Sequence, residues 1–87
     1  MITRISPRAE KEFKKLQKFD QIAIAQKIRT LIVRPVSGEE KLSGYSNVFR
    51  VRVGNYRIVY KKSIEELYII LIRHRRDVYK RLEDLLN

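Results

Sequence analysis

Two short runs in the middle of the chain alternate between apolar and polar residues. The first covers residues 48–53 and the second residues 56–61, and only Gly54 and Asn55 separate them. Alternation with a period of two is typical of a half-buried β-strand. A two-residue loop with glycine in the first position favours a type II′ turn. The pattern therefore predicts an antiparallel β-hairpin.

The length of the loop also predicts the register of this hairpin. Arg52 should lie opposite Arg57, and Val51 opposite Ile58. Like charges that face each other destabilise a sheet, and no acidic residue lies between Val48 and Lys62 to offset them. We therefore expect one face of the hairpin to bind an anion through a set of basic side chains: Arg50, Arg52, Arg57 and Lys61.

Before the hairpin, apolar residues recur at helical spacing in two segments. A short strand is predicted at residues 2–5, after which Ser6 can cap a first helix and Pro7 suits its first position. Asp20 is the predicted cap of a second helix, and Pro35 should end it. The link between them is short, so the two helices should form an antiparallel pair.

The remaining segments complete the predicted fold. Residues 34–47 indicate a polar connection, residues 67–72 are apolar on both faces as in a buried interior strand, and residues 77–86 have the spacing of a closing helix. The order β-α-α-β-β-β-α predicts a small α+β fold. In it a helical hairpin packs on one face of a mostly antiparallel four-stranded sheet, a C-terminal helix follows, and the arginine face stays open. We expect residues 1–87 to form a single domain.

Composition restricts the classes of function. The net charge of +10 favours a polyanionic partner, and it is divided evenly between the two halves of the chain. The basic residues therefore cluster only locally, in the hairpin and in residues 73–81. The absence of cysteine excludes disulfides, and a single histidine excludes a multi-histidine zinc site. No signal peptide or membrane span is predicted, so we expect a cytoplasmic protein without a cofactor.

These residue types suit cleavage of RNA without a metal. A ribose 2′-hydroxyl can attack the adjacent phosphate if other groups accept its proton and stabilise the added charge. Arginine suits the second task, but its high pKa prevents it from acting as a base. His74 is the natural acid–base candidate, and Tyr79 could stack on a base or pass a proton. Structural alternatives are a polar cap for His74 and helix packing for Tyr79.

Two motifs in order give a specific resemblance. Residues 49–60 are Phe-Arg-Val-Arg-Val-Gly-Asn-Tyr-Arg-Ile-Val-Tyr, and residues 72–79 are Ile-Arg-His-Arg-Arg-Asp-Val-Tyr. With the Ser-Pro helix start and the Leu-Ser-Gly segment before the hairpin, the chain resembles the RelE branch of the RelE/ParE toxin superfamily over nearly its whole length. The resemblance implies a toxin that cleaves messenger RNA on the ribosome without a metal. It also implies an antitoxin that neutralises the toxin by wrapping its basic surface.

The resemblance also implies roles for individual residues. Positions that active members use for phosphate binding and catalysis match Arg50, Arg52, Arg57, Arg73 and Tyr79, whereas His74 lies in the second motif, where members differ. From this match together with the residue chemistry, we expect catalytic roles for Arg57, Arg73, His74 and Tyr79, and phosphate binding by Arg50, Arg52, Lys61 and Arg75. Some relatives carry lysines, considered as the base, at the places of Arg50 and Arg52. Because arginine does not take that part readily, the base here is His74, Tyr79 or a group of the ribosome.

Two other functions remain open at this stage. A ParE-like toxin shares the fold but inhibits DNA gyrase by binding protein. A non-catalytic or decayed nucleic-acid-binding domain would hold phosphates without cutting RNA, and Arg50 and Arg52 could also be the solvated side of an edge strand. The complete set of arginines followed by histidine and tyrosine favours the mRNA endonuclease.

Overall fold

The computed structural model describes residues 2–33 and 38–74. The predicted closing helix at residues 77–86 lies outside these ranges. The same holds for Pro35, predicted to end the second helix, and for the predicted site residues Arg75 and Tyr79. The elements follow one another along the chain as β1 (Ile2–Ile5), α1 (Pro7–Lys14), α2 (Lys18–Val33), β2 (Glu40–Lys41), β3 (Val48–Val53), β4 (Tyr56–Lys62) and β5 (Glu66–His74).

Helix α1 begins where the sequence predicts. The hydroxyl of Ser6 accepts a hydrogen bond of 2.9 Å from the backbone N–H of Ala9, and Pro7 is the first helical residue. The same hydroxyl donates to the carbonyl of Ile70 at 2.8 Å. Ser6 is buried, so this one side chain both caps the helix and fixes its start to β5.

Helix α2 begins at Lys18, and the prediction that Asp20 caps it is wrong. The backbone N–H of Gln21 donates to the carbonyl of Gln17, so the first helical turn starts before Asp20. Asp20 lies inside that turn, where a carboxylate interacts favourably with the helix dipole. The side-chain amide of Gln21 also donates to the carbonyl of Phe13 and joins the two helices.

Within the described residues, the sheet has five strands in the order β1-β5-β4-β3-β2. Strand β1 is parallel to β5, and the other neighbours are antiparallel. The α+β class is confirmed, but the predicted number of four strands is wrong. The fifth strand is β2, which lies inside the predicted polar connection and pairs Glu40 with Arg50. A strand of two residues has no alternation that a sequence pattern could reveal.

The hairpin has the predicted register and turn. Arg52 lies opposite Arg57, and Val51 lies opposite Ile58. Gly54 has a φ of 60°, whereas Asn55 is not at positive φ, as a type II′ turn requires. The prediction of an interior strand after the hairpin is also confirmed, because β5 lies between β1 and β4.

Both faces of the sheet carry apolar side chains. The helices cover one face, where the buried cluster comprises Ala9, Ile24, Leu31, Val51, Ile58, Tyr60, Leu67, Ile69 and Ile72. A second cluster contains Val48, Val59, Ile70 and Leu71, with Leu42, Tyr45 and Tyr68 packed against it. Alternation places Val59 on the same face as Arg57. The prediction that the arginine face is open is therefore only partly correct. Leu42 and Tyr45 cover the end of this face that lies away from the hairpin turn.

Candidate functional site

Three adjacent strands each contribute one arginine to a row across the sheet. Arg52 of β3 lies opposite Arg57 of β4, and Arg57 lies opposite Arg73 of β5. Directly opposed residues share a face, and neighbouring strands are about 4.8 Å apart, so the backbone positions of the row span about 10 Å. We call Arg52, Arg57 and Arg73 the arginine row.

Local contacts hold each side chain of the arginine row. Arg52 Nε donates to the carbonyl of Gly54 at 3.1 Å, and Arg57 Nη1 donates to the carbonyl of Tyr56 at 3.3 Å. Both acceptors lie at or beside the hairpin turn, so the turn helps to fix these two guanidinium groups. Arg52 is exposed, whereas Arg57 and Arg73 are partly buried.

The third arginine is held by a carboxylate from α1. Arg73 Nε forms an ion pair with Glu12 Oε2, while Glu12 Oε1 accepts a 3.0 Å hydrogen bond from the backbone N–H of Ile72. The pairing of β1 with β5 ends at Ile69, so Glu12 contacts β5 just beyond the edge that β1 covers. The side chain of Glu12 is only 12% exposed.

Sequence reasoning missed Glu12, although the sequence does contain a signal. The apolar stripe that the sequence predicts for the first helix includes Ala9, Phe13 and Leu16. Glu12 lies three residues after Ala9 and four before Leu16, and therefore within this stripe. An acidic side chain at a core-facing position requires a cation or a hydrogen-bond donor, because burial of an unpaired charge is costly.

Arg50 and Lys61 share the arginine face but lie outside the arginine row. Arg50 lies opposite Val59, and its Nη2 forms a 2.9 Å ion pair with Oε2 of Glu40. Because β2 covers this strand, Arg50 does not lie on an edge strand. Lys61 is exposed and lies four residues after Arg57 on β4, roughly 13 Å along the strand.

His74 lies on the other side of the sheet from its neighbour Arg73. It is opposite Tyr56, and the two rings meet edge to face with centroids 5.8 Å apart. Tyr56 packs against the helix-covered core, and successive side chains of a strand point to opposite faces. The described residues thus bring Arg52, Arg57 and Arg73 together, with His74 at the end of the sheet on the helix side.

Basic side chains continue from the arginine row along α1. Arg73 lines a groove of about 710 Å³ together with α1, and the other basic residues that line it in the described part of the chain are Arg8, Lys11, Lys14 and Lys15. Within residues 2–33 and 38–74, no helix is long and apolar enough to cross a membrane. The same residues contain no group of three or more acidic, histidine or cysteine side chains that could hold a metal ion.

The fold is similar to that of several solved toxins. A chain of the intact E. coli RelBE toxin–antitoxin complex has a TM-score of 0.73 and 23% identity, with 84% of this chain and 94% of that one covered. A chain of the archaeal RelE–RelB complex from Pyrococcus horikoshii has a TM-score of 0.73 and 22% identity, with 85% of this chain and 93% of that one covered. A chain of the YoeB dimer from Staphylococcus aureus has a TM-score of 0.73 and 18% identity, with 86% of this chain and 97% of that one covered. At these identities the likeness shows the fold alone.

The sequence comparison gives the family. No curated protein matches the chain significantly. The model that describes the ParE toxin of type II toxin–antitoxin systems matches residues 3–79, which is most of the chain. This confirms the predicted superfamily. The chain therefore belongs to the ParE toxin family of type II toxin–antitoxin systems, within the RelE/ParE toxin superfamily.

Proposed function

We propose that this toxin is an endoribonuclease that cuts messenger RNA on the translating ribosome and needs no metal ion. The arginine row is the observation that supports this proposal most strongly. Three guanidinium groups from directly opposed positions on adjacent strands bring three permanent positive charges to one face of the sheet. Arginine binds phosphate oxygens through two parallel hydrogen bonds and keeps its charge throughout the reaction.

The proposed reaction is an internal transfer at phosphorus. The ribose 2′-oxygen forms a bond to the adjacent phosphorus, the bond from phosphorus to the 5′-oxygen breaks, and a 2′,3′-cyclic phosphate and a 5′-hydroxyl result. Negative charge grows on the phosphoryl oxygens in the transition state, where Arg57 and Arg73 would stabilise it. Arg50, Arg52, Lys61 and Arg75 would hold the flanking phosphates.

Proton transfer is the second requirement of the proposal. One group must accept the proton of the 2′-hydroxyl, and another must protonate the leaving 5′-oxygen. We propose His74 and Tyr79 for these steps. The position of His74 at the end of β5 means that the scissile phosphate would lie over the end of the sheet, between the arginine row and the histidine.

We further propose that a cognate antitoxin neutralises this toxin by covering the arginine row. Similar folds occur in complexes of RelE with RelB. In this chain, carboxylates already contact two basic side chains of the arginine face, at Arg50 and Arg73. An acidic segment of a partner would use the same chemistry, and it would exclude RNA from the row.

A second candidate is inhibition of DNA gyrase by protein binding. It is favoured by the family description, which names the ParE toxin of parDE systems. Three directly opposed arginines favour phosphate binding over this candidate, because binding to a protein does not require that arrangement. The two candidates also predict different damage in the cell.

Induction of the chain without an antitoxin, followed by mapping of RNA 5′ ends, tests the proposal. We expect codon-phased cuts within translated regions and growth arrest. Arg57→Ala and Arg73→Ala should abolish growth arrest and the cuts detected in cells, and circular dichroism should show that both variants remain folded. Broken DNA with intact mRNA would instead support gyrase inhibition. Toxicity that persists in both folded variants would refute the role of the arginine row.

A further inference from the structure

We infer that Glu12 is a positioning residue, which holds Arg73 in the orientation that the arginine row requires. The inference rests on the proposed function, because it assigns Arg73 a task in RNA cleavage. Glu12 itself lies on α1 and is mostly buried, so it acts through Arg73 and does not touch the substrate.

The contacts of Glu12 fix both the backbone and the side chain at this point of β5. One carboxylate oxygen accepts from the backbone N–H of Ile72, and the other contacts Arg73 Nε. Nε is the guanidinium nitrogen nearest to the backbone, so an ion pair there sets the direction of the guanidinium plane. Helix α1 is itself anchored to β5 through Ser6, which gives Glu12 a rigid base.

Electrostatic repulsion explains why Arg73 needs such a contact. Its directly opposed neighbour is Arg57, and like charges in this arrangement destabilise a sheet. Flexible side chains would reduce the repulsion by turning away from each other, and the row would then lose its third member. The charge of Glu12 offsets the repulsion on the side away from Arg57, where the pair is shielded from solvent.

A competing role for Glu12 makes the opposite prediction. A carboxylate beside Arg73 could weaken phosphate binding by occupying the guanidinium and lowering the local positive charge. Removal of the charge would then increase cleavage. A positioning role requires that cleavage decrease, so the sign of the change separates the two.

The test is a double-mutant cycle with Glu12→Gln and Arg73→Ala. Glutamine keeps an oxygen for the N–H of Ile72 but removes the charge. We expect Glu12→Gln to slow single-turnover cleavage of ribosome-bound mRNA by about 10- to 100-fold, since small misplacements of a catalytic group have effects of this size. It should cause no further loss in the residual single-turnover rate of the Arg73→Ala protein. Glu10→Gln is the matched control on the same helix, where Glu10 pairs with Lys14, and it should leave the rate unchanged.

Two kinetic results would overturn the inference. The first is a cleavage rate that Glu12→Gln leaves unchanged or raises. The second is a double variant whose loss of rate equals the product of the losses in the two single variants. The exchange rate of the Arg73 Nε–H with water, measured by NMR, tests the contact itself. It should increase in Glu12→Gln but not in Glu10→Gln. If the wild-type protein cuts no mRNA, the proposed function fails, and the exchange rate alone then decides whether Glu12 holds Arg73.

Discussion

At the scale of single residues, a buried phenol and a lysine share one carboxylate. The hydroxyl of Tyr60 donates to Oε1 of Glu39, and Lys62 Nζ lies 4.0 Å from the same oxygen. Tyr60 has no exposed surface. Burial raises the pKa of Tyr60 above its ordinary value, and the hydrogen bond to Glu39 and its negative charge raise it further. The hydroxyl therefore stays protonated in the folded protein at pH values where a free tyrosine ionises.

Tyr60→Phe tests this contact through the dependence of stability on pH. Near neutral pH the substitution should lower the free energy of unfolding by about 1–3 kcal/mol, because Glu39 loses a donor. Above pH 10 the unfolded wild type releases the Tyr60 proton and the folded state does not, so wild-type stability falls. Near pH 11 the difference between the two proteins should therefore be about 1.4 kcal/mol smaller.

Urea unfolding followed by circular dichroism at the two pH values measures both effects. Tyr45→Phe is the control, since it removes a phenolic hydroxyl from the other face of the sheet. A difference between wild type and Tyr60→Phe that stays constant with pH would contradict the raised pKa of Tyr60.

Several properties of the site could be predicted residue by residue, and others could not. The opposition of Arg52 and Arg57 follows from the length of the turn. Alternation also predicts that Arg73 and His74 point to opposite faces, because they are adjacent residues of one strand. The ion pair of Arg50 with Glu40 could not be predicted, because the two residues are ten positions apart and meet only when the segment between them folds back so that β2 pairs with β3.

At the scale of elements, the hairpin turn controls the arginine row. Gly54 has positive φ, and its carbonyl accepts from Arg52. A Cβ atom at this position would have no atom within 4 Å, so the effect of a substitution there comes from backbone strain alone. Gly44 has the same properties, with a φ of 87° and free space around a Cβ, but it lies before β3.

Gly54→Ala and Gly44→Ala form a matched pair for this element. Each should lower the free energy of unfolding by about 1–2 kcal/mol, the cost of positive φ for a residue with a Cβ. We expect only Gly54→Ala to slow mRNA cleavage in the folded population, because it alone disturbs the turn between Arg52 and Arg57. Single-turnover rates below the unfolding transition measure this. Equal effects of the two substitutions on the rate would contradict the role of the turn.

The elements also show which sequence signals determine structure. Ser6 and Pro7 predict the start of α1 correctly, because the Ser6 hydroxyl and the Pro7 ring both act on the first turn of the helix. The start of α2 at Lys18 is set by its link to α1, where Gln21 reaches the carbonyl of Phe13. A tertiary contact of this kind overrides the local preference for Asp20 as a cap.

At the scale of the whole molecule, the positive charge is widely distributed but only part of it faces the site. Basic residues occur on both helices as well as in the sheet. Arg29, for example, is exposed on α2, on the helix side of the sheet, whereas Arg52 is exposed in the arginine row. The net charge of +10 attracts any polyanion at long range, and the position of each arginine decides whether it neutralises a phosphate.

The salt dependence of RNA binding separates these two contributions. An RNA with 2′-O-methyl groups lacks the proposed nucleophile, so we expect it to bind without being cut. Each phosphate contact contributes about −0.7 to the slope of log K against log salt concentration. Arg52→Gln should make the slope less steep by about 0.7. Arg29→Gln, with the same change in net charge, should leave it unchanged. Fluorescence anisotropy over a range of salt concentrations measures both slopes. An equal change in the two variants would mean that net charge, and not the arginine row, holds the RNA.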